Sequence, residues 1–213
     1  MKIVQLDAIK NKRDMYKVTF DDDTELLLTA VHVADYNIYT GREISEEECE
    51  ELITSVQIST AKSKAVRMIG NRSLSAKEVE KRLTATHCTA DIVRETVEWL
   101  EQTGLIDDKE YAESIVSHYS KKGYGEARIR NELFKRGIDR ELWEEALKNQ
   151  EDSDDVINSF IERKLKGSDD KRDIQKVVEA LCRRGYSFDQ ARQSVREYLE
   201  TLENIMDEEQ EHE

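Results

Sequence analysis

The adjacent pair His87-Cys88 is the first place to look for chemistry, because an imidazole beside a thiol can activate a nucleophile or share a metal. Gly123-Tyr124-Gly125 is a fragment of a phosphate-binding loop. It lacks the Lys-Ser/Thr that would grip a nucleotide, and it follows a helical pattern rather than a strand. His32 and His118 have no partner at ligand spacing, and His212 lies near the end of the chain. The three cysteines, Cys49, Cys88 and Cys182, match neither a disulfide nor a zinc framework. Carboxylates are abundant, but most fall at helix starts or on polar faces, where dipole and solubility arguments place them. No catalytic set assembles, so the expectation is a protein that is not an enzyme and uses no metal or cofactor.

The elements that carry these residues explain most of them. Leu83, Leu133 and Leu181 stand 50 and 48 residues apart, a spacing typical of stacked helical repeats. Four residues before each comes Val79, Ile129 or Val177; six after comes a helix cap, Thr89, Asp139 or Ser187; fourteen after comes Val97, Leu147 or Val195. In this alignment His87 falls where the other repeats have Gly137 and Gly185, a helix-ending position that wants φ > 0. Cys88 aligns with Ile138 and Tyr186 and is expected to fill an apolar socket. Trp99 and Trp143 lie on apolar stripes and are expected in the core.

The chain of 213 residues has no proline and is 38% charged and 38% hydrophobic. An interior proline costs a helix about 3 kcal/mol, so its absence suits a chain that is mostly helix. No apolar run reaches the length of a membrane span, and the start is not a signal peptide. A cytoplasmic protein is expected. The first residues differ from the rest: Lys2–Ala8, Met15–Phe20 and Glu25–Thr29 are strand-like, with Asp21-Asp22-Asp23 as a turn. They predict a hairpin or three-stranded meander, packed on a helix over Val31–Tyr39. Beyond it, capping boxes at Ser45–Glu48, Ser75–Glu78 and Ser187–Gln190 mark helix starts. Asp107 and Ser153 are further caps. The first long helix is expected to reach Gly70, with a break near Ser59.

The resulting fold class is mainly α: three tandem three-helix repeats in an elongated, curved array, with a small N-terminal β-hairpin extension. The divisions are residues 1–40 for the hairpin and short helix, then 41–104, 105–150 and 151–204 for the repeats. Residues 205–213 are expected to be an acidic disordered tail.

Net charge is −14, which argues against a free-standing DNA-binding domain. The distribution is more informative. Residues 62–82, 121–136 and 163–184 carry net charges of +5, +4 and +4, leaving −27 for the rest. Each stretch includes the middle helix of a repeat. Exposed helix faces laced with i, i+4 pairs, such as Glu78–Arg82 and Glu132–Arg136, account for part of this. The recurrence in every repeat points to a shared binding face. Its candidate residues are Lys81, Arg82, Lys121, Lys122, Arg128, Arg130, Lys135, Arg136, Arg183 and Arg184. An acidic protein surface, a phosphate backbone, or both would meet it.

Three stretches resemble the RecX family of recombinase regulators. Ala65–Leu83 is similar to its first block, with Arg72, Ser75, Glu78 and Leu83 in place. Thr103–Ala112 resembles a more specific block, matching at Leu105, Asp108, Tyr111 and Ala112. Lys122-Gly123, Ile129, Glu132-Leu133 and Lys135-Arg136-Gly137-Ile138 resemble a third. The likeness spans about residues 57 to 203, and the N-terminal hairpin is similar to an extension of some members. It implies a monomeric, non-enzymatic modulator that binds the RecA filament on DNA and restrains its recombinase, ATPase and coprotease activities. DNA binding is then weak outside the RecA complex. Two other classes remain: a helical-repeat DNA-binding protein without a recombinase partner, and a thiol- or metal-dependent enzyme centred on Cys88.

Overall fold

Residues 1–10, 12–148 and 154–211 are described by the computed structural model. The cap expected at Ser153, the repeat boundary at 150–151 and His212 lie outside them. Strands β1 (Ile3–Ala8), β2 (Met15–Phe20) and β3 (Glu25–Thr29) form an antiparallel sheet in that order. Tyr16 pairs with Ala8 on one side and Leu28 on the other, with a register shift between Ile3 and Gln5. The Asp triplet makes the β2–β3 turn: Asp22 accepts from the Thr24 amide at 3.0 Å, and Asp23 takes φ 64°. Aspartate suits both tasks, since it bonds its own backbone and tolerates left-handed φ.

Helix α1 (Ala30–Asp35) follows at once, capped by Thr29 in a reciprocal bond with His32. It stops short of the expected Tyr39 because Asn37 turns to φ 48°. Then come α2 (Glu46–Asn71), α3 (Ala76–Thr84) and α4 (Ala90–Gln102); α5 (Asp108–Ser120), α6 (Glu126–Lys135) and α7 (Arg140–Lys148); and α8 (Asp154–Leu165), α9 (Lys171–Arg184) and α10 (Phe188–Glu211). Among the described residues these ten helices include the three predicted triplets. Helix α2 has no break at Ser59; serine and threonine each cost a helix only about 0.5 kcal/mol, too little to interrupt one packed along its length. Helix α10 runs to Glu211, where disorder was expected from residue 205. The tail is polar, but it holds good helix formers and no glycine or proline to stop it.

The caps match the predicted chemistry, with one exception. Asp107 accepts from the Lys109 and Glu110 amides, both at 2.9 Å, and Ser187 and Gln190 form a capping box. Thr89 occupies the N-cap of α4 but makes no side-chain cap bond. The anchors are fully enclosed, as are Val79 and Ile129 one turn before the first two: Leu83, Leu133 and Leu181 are at most 1% exposed.

The chain forms two compact units, Met1–Arg72 with Val79–Leu105, and Ser73–Glu78 with Ile106–Glu213. In the first, Val18, Phe20 and Leu28 of the sheet pack with Ile38, Ile44, Cys49 and Leu52, so the sheet rests on the start of α2 as well as on α1. Burying these side chains, at about 1.5–3 kcal/mol each, offsets the weakness of an isolated small sheet. The second unit holds two cores. Ile115, Val116, Ile129, Leu133 and Trp143 fill one; Phe160, Ile161, Val177, Leu181 and Val195 fill the other.

Candidate partner-binding surface

The second unit contains two similar joints between helix ends. At one, the Gly125 amide donates to the Arg184 carbonyl at 3.0 Å and the Ala127 amide to the Gly185 carbonyl at 3.1 Å. The first turn of α6 therefore uses the last carbonyls of α9 as acceptors. Only glycine fits here. A Cβ on Gly125 would enter the Gly185 backbone, and one on Gly185, which ends α9 at φ 99°, would lie 2.5 Å from the Arg128 nitrogen. At the other joint, the Ser75 hydroxyl donates to the Arg136 carbonyl, and the Ala76 amide to Asp108 at 2.9 Å.

An arginine stands one residue before the glycine in each case. Arg184 Nη1 donates to the carbonyls of Lys122 (2.8 Å) and Gly123 (3.1 Å), and its guanidinium lies 4.1 Å from the Phe160 ring centre. Arg136 donates to the Tyr111 hydroxyl and lies 5.6 Å from that ring, while its buried Nε has no hydrogen-bond partner among the described residues. Burial disfavours the Arg136 charge, but Tyr111 and Glu78 outweigh that and hold it protonated. Both arginines thus have structural tasks at the joints.

Beside the first joint lies an open cleft of about 490 Å³. Lys121, Lys122, Arg163 and Arg184 line it with Tyr124 and Phe160, and among the described residues no carboxylate does. Arg128 and Arg184 lie 5.9 and 5.2 Å from the Tyr124 ring; Arg163 and Lys164 lie 5.8 and 5.9 Å from Phe160. Cations held over aromatic rings with their polar ends in water can exchange solvent for a phosphate or a carboxylate. Arg163, Lys164, Tyr124 and Phe160 were absent from the sequence-based candidates. The signal was the spacing of Phe160 and Arg163-Lys164, which places cations within one turn of an aromatic.

The remaining candidates divide by their pairing. Arg130 is neutralised by Glu126 at 2.6 Å and Glu144 at 2.8 Å. Glu132, expected to pair with Arg136, instead accepts from Lys135 at 3.0 Å and lies 3.4 Å from Arg128. Burial opposes the charge on Glu132, but Lys135 and Arg128 outweigh it and hold its carboxyl below the usual range. Lys81, Lys121, Lys122 and Arg183 are exposed and Arg82 is half-buried. Lys122, Arg163 and Arg183 make no ion pair with a described residue.

His87 takes φ 64° where Gly137 has 69° and Gly185 has 99°, so it occupies the helix-ending position the alignment assigns it. Cys88 is only half-buried, with the Thr86 hydroxyl 3.5 Å from its sulfur, so its socket is shallower than that of Ile138. Cys49 is enclosed in the sheet core, where burial pushes its thiol up and keeps it unreactive. Among the described residues no group of His, Cys, Asp or Glu could hold a metal, and no helix is long and apolar enough to cross a membrane. Trp143 is buried, whereas Trp99 is half-exposed with Lys62 5.5 Å from its ring. Side-chain period alone did not separate them.

Helix triplets built on buried leucine anchors, with a basic aromatic cleft in the second unit, define a helical-repeat fold. The description of the RecX second three-helix domain matches residues 107–147. The regulatory protein RecX of Chlorobium phaeobacteroides is 33% identical over 141 residues, covering 65% of this chain and 90% of the relative. That of Streptococcus sanguinis is 27% identical over 194 residues, 89% of this chain and 75% of the relative. A crystal structure of regulatory protein RecX superposes with a TM-score of 0.74 at 20% identity, over 92% of this chain and 98% of the other. The chain belongs to the RecX family of regulatory proteins.

Proposed function

We propose that this protein binds the RecA filament and restrains its recombination, ATPase and coprotease activities without catalysing a reaction itself. What supports the reading is family membership together with one local observation: Lys122 and Arg163, which make no ion pair with a described residue, stand beside Tyr124 and Phe160 in an otherwise acidic chain. The cleft offers charge to an acidic filament surface or to the DNA it carries. The net charge of −14 keeps the free protein off bulk DNA. Of the sequence-based candidates, Lys121, Lys122 and Arg183 are retained as contacts, and Arg163 is added. Arg136 and Arg184 act through the joints they hold.

The test is RecA-dependent, DNA-stimulated ATP hydrolysis with the unaltered protein and with Lys121, Lys122, Arg163 and Arg183 changed to Glu. Inhibition is expected to fall by about tenfold or more, the effect of removing several charge contacts. Unchanged inhibition by a folded variant refutes the cleft as the contact. Base stacking on Tyr124 and Phe160 would favour the rival, binding to bare single-stranded DNA. That rival requires tight binding without RecA, with a steep salt dependence.

A further inference from the structure

Helix α2 is 26 residues long, about 39 Å at 1.5 Å per residue, and its neighbours cover it unevenly. The sheet and α1 pack near its start and α4 packs on it further along. Along the same helix runs an open groove of about 1070 Å³, within the first unit. Glu47, Glu51, Ile58, Lys62 and Val66 recur on its floor at helical spacing; Val31 and Tyr36 form one wall and Trp99 the other. Its lining is partly apolar and open to water: Val31 is 63% and Val66 40% exposed, and Tyr36, Ile58 and Trp99 are half-buried. Solvent-facing valines beside an aromatic ring on one continuous face mark an interaction site more often than an ordinary surface.

The rim is strongly acidic. Asp35, Glu47, Glu50 and Glu51 make no ion pair with a described residue. Lys62 is the cation among the described lining residues, and it is taken by Glu95 at 3.1 Å and held 5.5 Å from the Trp99 ring.

We propose that this groove docks a basic amphipathic helix of a partner protein. Ser55, Ser59 and Ser63 lie one turn apart on the lining, and small side chains there let a guest axis approach to about 8–10 Å. From Glu47 to Val66 the groove extends about 28 Å, room for roughly five turns of guest helix. Apolar residues at i, i+3, i+4 and i+7 of the guest meet Val31, Ile58, Val66 and Trp99. Lysine or arginine on its flanks meets the four unpaired carboxylates. Those carboxylates repel a phosphate backbone or an anionic membrane, and an uncharged helix would leave them unused. The groove is separate from the basic cleft, and the proposal stands whether or not that cleft contacts RecA.

The test is calorimetric titration of the full chain with a synthetic lysine–leucine amphipathic helix of about 18 residues. A glutamate–leucine helix of the same pattern serves as the control. Micromolar binding of the basic helix is expected, weakening about tenfold as salt is raised from low to physiological strength or above. Changing Glu47, Glu50 and Glu51 to Gln should weaken it by about tenfold, and Val66→Lys should do the same through the exposed floor. Neutralising Glu197, Glu200 and Glu203 on α10 should leave binding intact. Absence of binding, equal binding of the acidic helix, or an equal loss in the α10 variant overturns the proposal. So does unchanged affinity in both groove variants.

Discussion

Ser75-Ala76 at the start of α3 meets the end of α6, and Gly125 through Ala127 meets the end of α9. The first meeting is made by side chains: the Ser75 hydroxyl and the Asp108 carboxylate supply the bonds. The second is made by backbone on backbone, with the amides of Gly125 and Ala127 on the carbonyls of Arg184 and Gly185. One relation between anchor helices is thus built in two ways. At the backbone joint a Cβ on Gly125 or Gly185 would enter the opposing backbone, whereas at the side-chain joint one on Gly137 would meet the root of the Lys77 side chain.

The sharpest way to break this comparison is at the two joint glycines. Gly185→Val places a branched side chain at φ 99° against the Arg128 nitrogen, and is expected to cost about 3 kcal/mol or more. Gly137→Ala, at φ 69°, puts a single methyl group 2.7 Å from the Lys77 Cβ and 2.8 Å from its Cγ, the root of a side chain rather than backbone, so the Lys77 backbone must give slightly. It should cost about 1–2 kcal/mol. Equal losses in thermal or urea unfolding would mean the joints are not different in kind.

The arginines come next. Arg184→Met leaves the Lys122 and Gly123 carbonyls without their donor and removes the stack on Phe160, a loss of about 2 kcal/mol. Arg136→Met gives up one bond to Tyr111 but relieves a buried, unpartnered Nε, so about 1 kcal/mol or less is expected. Denaturant midpoints of the two variants should keep that order; a reversal would make the side-chain joint the stronger.

The smallest effect is expected away from both joints. Glu132 has a carboxyl held below the ordinary glutamate value of 4.5, chiefly by Lys135 and Arg128 against the opposing effect of burial. A depressed carboxylate pKa stabilises the fold above the unfolded value, and that share is lost as pH falls through the folded one. Glu132→Gln should therefore be less stable than the parent by about 0.5 kcal/mol at neutral pH. The gap should shrink only below pH 4.5, read from urea unfolding across a pH series.

These contrasts also explain what the sequence could reveal. Leu83, Leu133 and Leu181 repeat because each repeat must bury the same local stripe, and a local stripe leaves a period. The caps at Asp107 and Ser187 were equally legible, since their bonds close within three residues. Contacts between repeats leave no such trace. Arg136 and Arg184 read as solvated members of a basic face because nothing within a few residues reveals the ring or the carbonyl they reach. Arg163 lines the same cleft and Lys164 lies by its Phe160 ring, but both come from α8 rather than from the anchor helix in which the charge was sought. Trp99 looked like core because α4 is amphipathic; it borders the open groove along α2, which no property of α4 reveals.

The backbone joint has one further consequence. The first amides of a helix ordinarily exchange their hydrogens fast, because no carbonyl of their own helix is available to them. Gly125 and Ala127 have acceptors on α9 instead, so their protection lasts only while the end of α9 stays folded. Two amides of one repeat thus act as a clock for the opening of the next, readable without any label or substitution.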